Sequence, residues 1–285
     1  MRKATAFFSV FLIIAIAGYS QKFSVRAGLG FGAGFGGDIA AGIRGLSDYL
    51  ADTYAATDSF GAPGFGLSFS TEAVYRLNPK MGVGLGFGYF SAGKESEVAY
   101  IIDTLVVTQT LHPRLGVIPI TASFHYYLPA MLGKLDLDLS AGLGLYLAHL
   151  NYDESIGVAV AGQTGALAYT YASGGKVGFG PHIGLSAEYP LTEKLALTIA
   201  LTARLASAAL STGEWTETGS GLFGNYTNQG SDHQPWAYDW TPAGTTYRQV
   251  IFGATAPTGA GVANVSEARL GLSAVTLCVG ARFNL

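Results

Sequence analysis

The chain has 285 residues, of which 49% are apolar and only 12% are charged, against roughly 25% charged in an ordinary soluble domain. The apolar content excludes a disordered chain, and a formal net charge of −3 gives no sign of a nucleic-acid partner. The one sustained apolar run, residues 4–17, is shorter than the about twenty residues that a transmembrane helix needs. Composition therefore favours a chain whose apolar residues are spread along it in alternation.

The first residues have the features of a secretory signal peptide. These features are two basic residues, an apolar run and two small residues, namely Arg2 and Lys3, residues 4–17, and Gly18 and Ser20. The pattern predicts cleavage near Ser20 and Gln21, so that residues 1–20 are removed and residues 21–285 form a single domain. The alternative, an N-terminal membrane anchor, is disfavoured because the apolar run is short.

From Phe23 onward, apolar residues occupy every second position, with small or polar residues between them. This period of two is typical of a strand with one apolar face. Eight such strands are predicted, at 23–35, 65–77, 81–89, 117–128, 135–147, 177–189, 195–205 and 275–283. The alternate faces carry Gly, Ser, Thr and charged residues, which argues against a soluble sandwich with a shared apolar core.

The connections between these strands are alternately short and long. The short ones are 78–80, 129–134 and 190–194, and the long ones are 36–64, 92–114, 151–175 and 207–266. This alternation predicts an all-β fold, a transmembrane antiparallel up-and-down β-barrel of eight strands with short periplasmic turns and long extracellular loops. The stretch 98–109 predicts a hairpin in the second long loop, and the count becomes ten if it or the fourth loop enters the barrel.

Outward aromatic residues give an independent test of this topology. They form two predicted belts, one at the periplasmic ends (Phe23, Tyr75, Tyr126, Tyr189, Phe283) and one at the extracellular ends (Phe35, Phe65, Tyr89, Phe179). Aromatic belts at both membrane interfaces are a property of outer-membrane barrels. The chain is therefore predicted to reside in the cell outer membrane of a Gram-negative cell.

With its signal peptide, amphipathic strands, four long loops and closing strand at 275–283, the chain resembles the small outer-membrane barrel, or porin-family, proteins such as OmpA, OmpX and OmpW. The resemblance implies a monomer in contact with outer-membrane lipid and lipopolysaccharide, assembled by the barrel-assembly machinery through its C-terminal strand. That strand usually ends in an aromatic residue, whereas here Asn284 and Leu285 follow Phe283. Such barrels have unrelated functions, so the resemblance implies no activity.

Charged residues at inward positions form a predicted lumen cluster. Its members are Arg26, Glu72, Arg76, His125, Asp136, Asp138, Glu188 and Arg282. Because buried charges persist when they are paired, and because side chains alone fill an eight-stranded barrel, the simplest interpretation is a salt-bridged plug. The alternative is a row of charges along a narrow water-filled path.

Two strips of inward glycines leave part of the predicted lumen without side chains. They are Gly28, Gly30, Gly32 and Gly34 on one strand, and Gly82, Gly84, Gly86 and Gly88 on another. The strips either open a cavity above the plug or give room to bulky neighbours such as Tyr127 and Tyr146. Pro119 and Pro181 lie within predicted strands and indicate local bulges, because proline has no N–H for the ladder.

The long loops are the candidate site of recognition, because binding residues are often on loops of a rigid scaffold. Together they carry an excess of about nine carboxylates over Lys and Arg, which would attract cations within about a Debye length. The fourth loop adds Trp215, Trp236 and Trp240. These residues either belong to a recognition surface or form the loop's own small core.

No residue pattern points to catalysis or to a metal. His182 and Ser186 share a strand face but are four residues apart, about 13 Å, too far for a nucleophile and its base. Asp232 and His233 lack a surrounding motif. Asp136 and Asp138 could share a cation, although neutralisation by nearby arginines is simpler. We therefore expect a non-enzymatic protein without catalytic residues, cofactor or metal, with a structural or surface-interaction role. A narrow channel and a lipid-modifying or proteolytic barrel are the alternatives.

Overall fold

A computed structural model describes residues 22–34, 36–132, 135–174 and 176–285. The predicted signal peptide, its cleavage site and Phe35 lie outside these residues. No helix in the described ranges has the length and hydropathy that a membrane span requires.

The described chain forms sixteen strands and one helix. The strands are β1 (Phe23–Gly34), β2 (Phe65–Asn78), β3 (Met81–Gly93), β4 (Ser96–Ile102), β5 (Leu105–Leu132), β6 (Leu135–Val160), β7 (Gln163–Gly174), β8 (Gly178–Pro190), β9 (Leu195–Arg204), β10 (Ser207–Ala209), β11 (Gly213–Gly221), β12 (Tyr226–Trp240), β13 (Tyr247–Gly253), β14 (Val262–Glu267), β15 (Arg269–Gly271) and β16 (Ala274–Asn284). The helix, α1, is Gly37–Tyr54.

Eight of the strands pair with one another in a cycle, which we call the ring. The antiparallel pairs run β1–β2, β2–β3, β3–β5, β5–β6, β6–β8, β8–β9, β9–β16 and β16–β1. Pairing therefore returns to its starting strand, so that the inner strand faces enclose a common space and the outer faces point away from it.

The outer face of the ring is apolar and exposed on every strand. One residue from each strand illustrates this, with exposed fractions between 45% and 71%: Leu29, Leu67, Leu85, Phe124, Leu143, Ile183, Ile199 and Val279. An exposed apolar surface of this extent marks an interaction face, either with a membrane or with another protein. The period of two in the sequence thus separates a lipid-compatible outside from a polar inside.

The two ends of the ring differ. One end, which we call the turn end, has the tight connections β2–β3 and β8–β9, and the described chain also begins and finishes there, since Ser24 pairs with Asn284. Aromatic residues Phe23 and Tyr75 contact each other at this end, with ring centroids 6.2 Å apart. At the opposite end Phe31 stacks on Phe65 at 5.8 Å.

Opposite the turn end, strands β5 and β6 continue beyond the ring as one long hairpin. Their pairing extends to Val106 and Ala159, and β6 changes partner from β8, up to Tyr146, to β7, from His149. Strand β4 likewise pairs with β5 beyond the region that β3 occupies. The free edges of the hairpin are therefore extended by strands from the long connections.

We call α1, β4, β7, β10–β15 and the distal halves of β5 and β6 the head. Its strands continue in the order β7–β11–β12–β13, and α1 packs on β13. A Cβ at Gly45 would overlap the carbonyl oxygen of Arg248, so this glycine allows the helix and strand to approach closely. The interior of the head is an apolar cluster that includes Ile43, Leu111 and Leu150.

Two predictions from the sequence need correction. As the count for the whole sheet, eight strands is wrong, as is the alternative of ten, because the sheet of the described residues contains sixteen strands, of which eight form the ring. The extra strands come from the long connections, which pair with the extended β5–β6 hairpin rather than remaining irregular. The first long connection is predicted as a loop, but its residues 37–54 form α1.

The second long connection does form the predicted hairpin, since β4 pairs with β5 from Ser96 to Ile102. The two prolines within strands, Pro119 and Pro181, interrupt the hydrogen-bond ladder on one side, because proline has no N–H to donate. Pairing of β3 with β5 stops at Ile120 and resumes at Val117, which leaves Pro119 unpaired on that side. Pairing of β8 with β9 ends at His182, next to Pro181.

Candidate functional site

A network of ion pairs fills the ring near its turn end. Arg26, on the inner face of β1, is at its centre. One guanidinium nitrogen, Nη1, lies 2.6 Å from Asp138 Oδ2, and the other, Nη2, lies 2.9 Å from Glu188 Oε1. The first contact is a hydrogen bond, whereas the second is an ion pair without an aligned hydrogen bond. Arg26 therefore joins strands β6 and β8 across the ring.

His125 and Arg282 complete this network. His125 Nδ1 lies 2.9 Å from Asp138 Oδ2, and its Nε2 lies 3.1 Å from Glu72 Oε1. Arg282 donates to Glu188. We call Arg26, Glu72, His125, Asp138, Glu188 and Arg282 the ion-pair network.

The charges within the network match. Each ring nitrogen of His125 lies beside a carboxylate, and Nδ1 also lies 3.3 Å from Arg26 Nη1. If the ring is counted as doubly protonated, three cations balance three carboxylates. The side chains of Asp138 and Glu188 are 2% and 1% exposed. Buried charges without partners are strongly unfavourable, so this balance explains why these residues occur together inside the ring.

Two predicted members of the lumen cluster lie outside the network. The guanidinium carbon of Arg76 is 4.2 Å from the centre of the Tyr127 ring, a cation–π contact. Asp136 makes no ion pair with any of the described residues. The structure therefore brings six of the eight predicted cluster residues together in one network, whereas the position of the other two depended on side-chain packing.

A cavity of about 170 Å³ lies inside the ring, bordered by the network residues Arg26 and Glu72. Of the inward glycines, Gly28, Gly86 and Gly88 line it. Others adjoin aromatic rings instead: a Cβ at Gly82 would lie 3.2 Å from Tyr127 Oη, and one at Gly144 would lie 2.8 Å from the hydroxyl of Tyr146. Some inward glycines therefore border a cavity, and others give room to bulky aromatic neighbours, in different parts of the ring.

Sequence reasoning missed two features of this cavity. Arg204 is buried on the inner face of β9, and Ser123 Oγ lies 3.0 Å from His182 Nε2. Arg204 has the same parity as the inward residues Thr198 and Thr202, so the alternation itself was a signal that could have placed it. The contact of Ser123 with His182 joins strands β5 and β8 and had no local signal.

The three tryptophans of the fourth long connection are half-buried within the head. Trp215 stacks on His233, with ring centroids 4.0 Å apart and planes within 6°. Trp236 donates its indole N–H to the carbonyl of Gly253, and Trp240 packs against Tyr49 at 4.8 Å. Each indole is thus engaged in contacts within the head, and a recognition role for these residues stays a prediction.

The head also buries one carboxyl beside hydrogen-bond donors. Glu154 accepts from Gln109 Nε2 at 2.6 Å and from Tyr152 Oη at 3.2 Å. Burial raises the pKa of Glu154 above its usual range, although these two hydrogen bonds oppose the shift. Burial likewise raises the pKa of Tyr171 to about 12. These groups therefore belong to the interior of the head rather than to its acidic surface.

The residues considered for catalysis are divided among different contacts. Ser186 donates to Asp138 at 3.3 Å, so it belongs beside the ion-pair network rather than to His182. His233 contacts Tyr169 Oη at 2.9 Å, while Asp232 accepts from the Trp215 indole at the same distance. Burial lowers the pKa of His233.

Comparison with known proteins finds similarity at the level of architecture. No protein-family model matches the chain, and no curated protein matches it either. Among solved structures, it is similar to the outer membrane protein OprG from Pseudomonas aeruginosa, with 10% identity, a TM-score of 0.40 and coverage of 93% of this chain and 95% of that one. It is also similar to a major outer membrane protein from Thermus thermophilus, with 15% identity, a TM-score of 0.34 and coverage of 94% of this chain and 100% of that one.

Both of these structures are of outer membrane proteins. Since both TM-scores lie below 0.5, any function for this chain has to be argued from its own strand pairing and side chains.

Proposed function

We propose that the chain is an outer-membrane β-barrel whose ring spans the membrane, with the turn end in the periplasm and the head outside the cell. Two properties support this placement. The ring exposes an apolar outer face on all eight of its strands, and its cyclic pairing leaves no open edge within the ring, as a sheet in lipid requires. Short turns at one end and long connections at the other are the usual polarity of such barrels.

We further propose a non-enzymatic role, in which a closed barrel presents the head as a structural or surface-interaction module. The observation that carries this proposal is that side chains fill the axis of the ring at two levels. The ion-pair network occupies the turn end, while Phe90, Tyr146 and Leu272 belong to the apolar cluster towards the head and are at most 1% exposed. A conducting path would need water along both levels.

The proposed partners are outer-membrane lipid and lipopolysaccharide around the ring, and the barrel-assembly machinery acting on β16, with the protein as a monomer. The head provides the surface for an external partner. Its long connections carry the excess of about nine carboxylates, so a partner with basic groups would be steered towards it by electrostatic attraction.

Planar-bilayer recording tests the closed axis. We expect the purified, folded protein to give no discrete conductance steps under conditions in which a known porin, recorded in parallel, does. Reproducible steps whose size changes on Glu72→Gln would contradict the proposal, because this carboxylate would then line a conducting path rather than hold His125 at 3.1 Å.

Site-directed labelling tests the orientation. Thr104 lies in the turn between β4 and β5, in the head, and Lys80 lies in the turn between β2 and β3. Both residues are exposed, and the native Cys278 is buried. We expect a membrane-impermeant maleimide to label Thr104→Cys but not Lys80→Cys on intact cells. Labelling of Lys80→Cys alone would place the head in the periplasm.

A heat-modifiability gel tests the barrel itself at lower cost. A barrel that stays folded in detergent migrates differently before and after boiling, because the unboiled form is compact and binds less detergent. We expect such a difference for this chain. Identical migration of the boiled and unboiled protein would argue against a stable closed ring.

A further inference from the structure

Many of the residues that line the cavity inside the ring have polar side chains. Ten of its lining residues are serines or threonines, and their hydroxyls can donate as well as accept hydrogen bonds. Its volume of about 170 Å³ exceeds that of an apolar cavity of about 150 Å³ that accommodates benzene, and equals the liquid volume of about five or six waters. The cavity therefore has room for a small polar solute.

Arg204 is a cation at this cavity without a carboxylate partner. The residue is only 9% exposed and lines the cavity, yet no carboxylate among the described residues lies within the 4.0 Å of an ion pair. Its Nε donates to the carbonyl of Leu272 at 2.9 Å, and its guanidinium carbon lies 5.0 Å from the Phe90 ring centre. These contacts position the guanidinium without neutralising its charge.

The carboxylates nearest to this cavity are already engaged. Glu72, Asp138 and Glu188 pair with Arg26, His125 and Arg282 inside the ion-pair network. Because the carboxylates of the network are matched by its own cations, none of them is left to neutralise Arg204. A buried charge is strongly unfavourable unless it is paired, so the cavity is complementary to an anion.

A second buried group points to the same conclusion. His182 is the cross-strand partner of Arg204, and cross-strand side chains on one face have Cβ atoms about 4.5–5.5 Å apart. His182 is 7% exposed and lines the cavity, and its Nδ1 has no hydrogen-bond partner among the described residues. The Tyr146 hydroxyl, also at the cavity, has none either. Unpaired buried donors are rare, so these atoms form an incomplete ligand shell.

We propose that this cavity binds a small oxyanion, a carboxylate or a phosphate, with Arg204 as its counter-charge and His182, Tyr146 and nearby threonine hydroxyls as additional donors. A guanidinium is well suited to this task because its fork of N–H groups binds two oxygens at once. The site goes beyond the proposed surface role, since it gives the interior of the closed ring a ligand of its own.

Exchange with solvent is expected to be slow, because the cavity lies between the ion-pair network and the apolar cluster. The protein should therefore be refolded with the probe present and then studied by equilibrium dialysis. The probes are radiolabelled inorganic phosphate and radiolabelled acetate, with glycerol as an uncharged competitor. We expect about one equivalent of phosphate or acetate bound per chain, without competition by glycerol. Binding of one probe alone identifies the class of oxyanion.

Substitution of the central cation provides the decisive comparison. A hydrogen bond to a charged group contributes about 1.5–3 kcal/mol, so Arg204→Gln should weaken binding about tenfold or more. Arg204→Lys, which keeps the charge but loses the fork, should weaken it less. Arg114→Gln is the matched control, because Arg114 is half-exposed in a surface ion pair with Asp153. This variant should bind the probe with the affinity of the unaltered protein.

Substitution of Arg204 could prevent folding, and a heat-modifiability gel would show this. A second variant therefore tests the site without changing Arg204. Thr276→Val removes one lining hydroxyl at nearly constant volume, and it should weaken binding several-fold. Absence of binding of both probes to the unaltered protein would overturn the proposal. The proposal would also be overturned if the folded Arg204→Gln variant bound the probe as tightly as the unaltered protein does. If that variant does not fold, an unchanged affinity of Thr276→Val would overturn it instead.

Discussion

The ring and the head are built with opposite polarity, and strand β6 passes through both. Within the ring, its inward residues are polar, such as Asp138 and Ser140, and its outward residue Leu143 is 52% exposed. Within the head, the same inward face carries Leu150, which is fully buried, and the outward face carries Asp153 in a surface ion pair. One strand therefore reverses its apolar face along its length.

In the proposed membrane placement, the reason for this reversal is the solvent on the outer side. Lipid favours apolar side chains outside the ring, so the enclosed positions receive the polar residues and must pair their charges. Water around the head favours the opposite arrangement, and apolar burial then stabilises its interior. The position between Leu147 and Leu150, at which the pattern inverts, thus marks the expected membrane boundary on β6.

The largest effect is expected in the ring. Arg26→Leu removes the cation that contacts Asp138 and Glu188 and leaves their carboxylates buried without this partner. Loss of one member of a buried ion pair costs about 3–5 kcal/mol. The urea concentration at which half of the protein no longer migrates as the folded form on a heat-modifiability gel should therefore fall strongly. Arg114→Leu serves as the control, since an exposed pair contributes about 0–1 kcal/mol. Equal shifts for the two variants would show that the network does not stabilise the ring.

The head should respond next. Leu150→Ala empties space in a water-surrounded core and should cost about 2–5 kcal/mol, seen as faster proteolysis of the head while the ring remains resistant. Leu143→Ala, on the same strand but on the lipid-facing side, should have a smaller effect because lipid chains can fill the vacated space. Equally fast cleavage of the two variants would contradict the view that β6 has a buried apolar face in the head and an outward apolar face in the ring.

The docking of α1 gives a smaller, local effect. In Gly45→Ala the new methyl group would overlap the Arg248 carbonyl, and overpacking costs about 1–3 kcal/mol. The helix should then move from β13 and expose residues 55–64 to protease. The exposed neighbour Arg44 provides the control: Arg44→Ala should leave cleavage unchanged. Equal protection of both variants would indicate that the close approach at Gly45 is not needed.

The smallest expected effect concerns pH. Burial raises the pKa of Glu154, so the folded head binds this proton more tightly than the unfolded chain does. Its contribution to stability is therefore fully present below the unfolded pKa and is lost as the pH rises through the folded pKa. Glu154→Gln should flatten this part of the pH profile of head proteolysis. Ser155→Ala, which changes an exposed residue of the same strand that has no titratable group, should leave the pH profile unchanged.

Much of the ring could be predicted because its information is local. Alternation assigns Arg26, His125 and Glu188 to the inner face, and the structure brings them into one network. The same parity applies to Arg204, the last inward residue of its strand. In α1, Ile39, Ile43 and Leu50 are core residues spaced four and seven apart, a helical pattern that was present in the sequence but hidden among residues assigned to a loop.

The sequence by itself determined which residues lie on the apolar outer face of the ring and which face the interior, because a strand alternates its faces regardless of its partners. The tertiary structure decided which inward charges touch, since register and ring closure join Arg26 to Asp138 and Glu188 from strands far apart in the chain. It also decided the strand count. Whether a long connection becomes a strand depends on a free edge to pair with, and the edges of the β5–β6 hairpin exist only once the two strands extend beyond the ring.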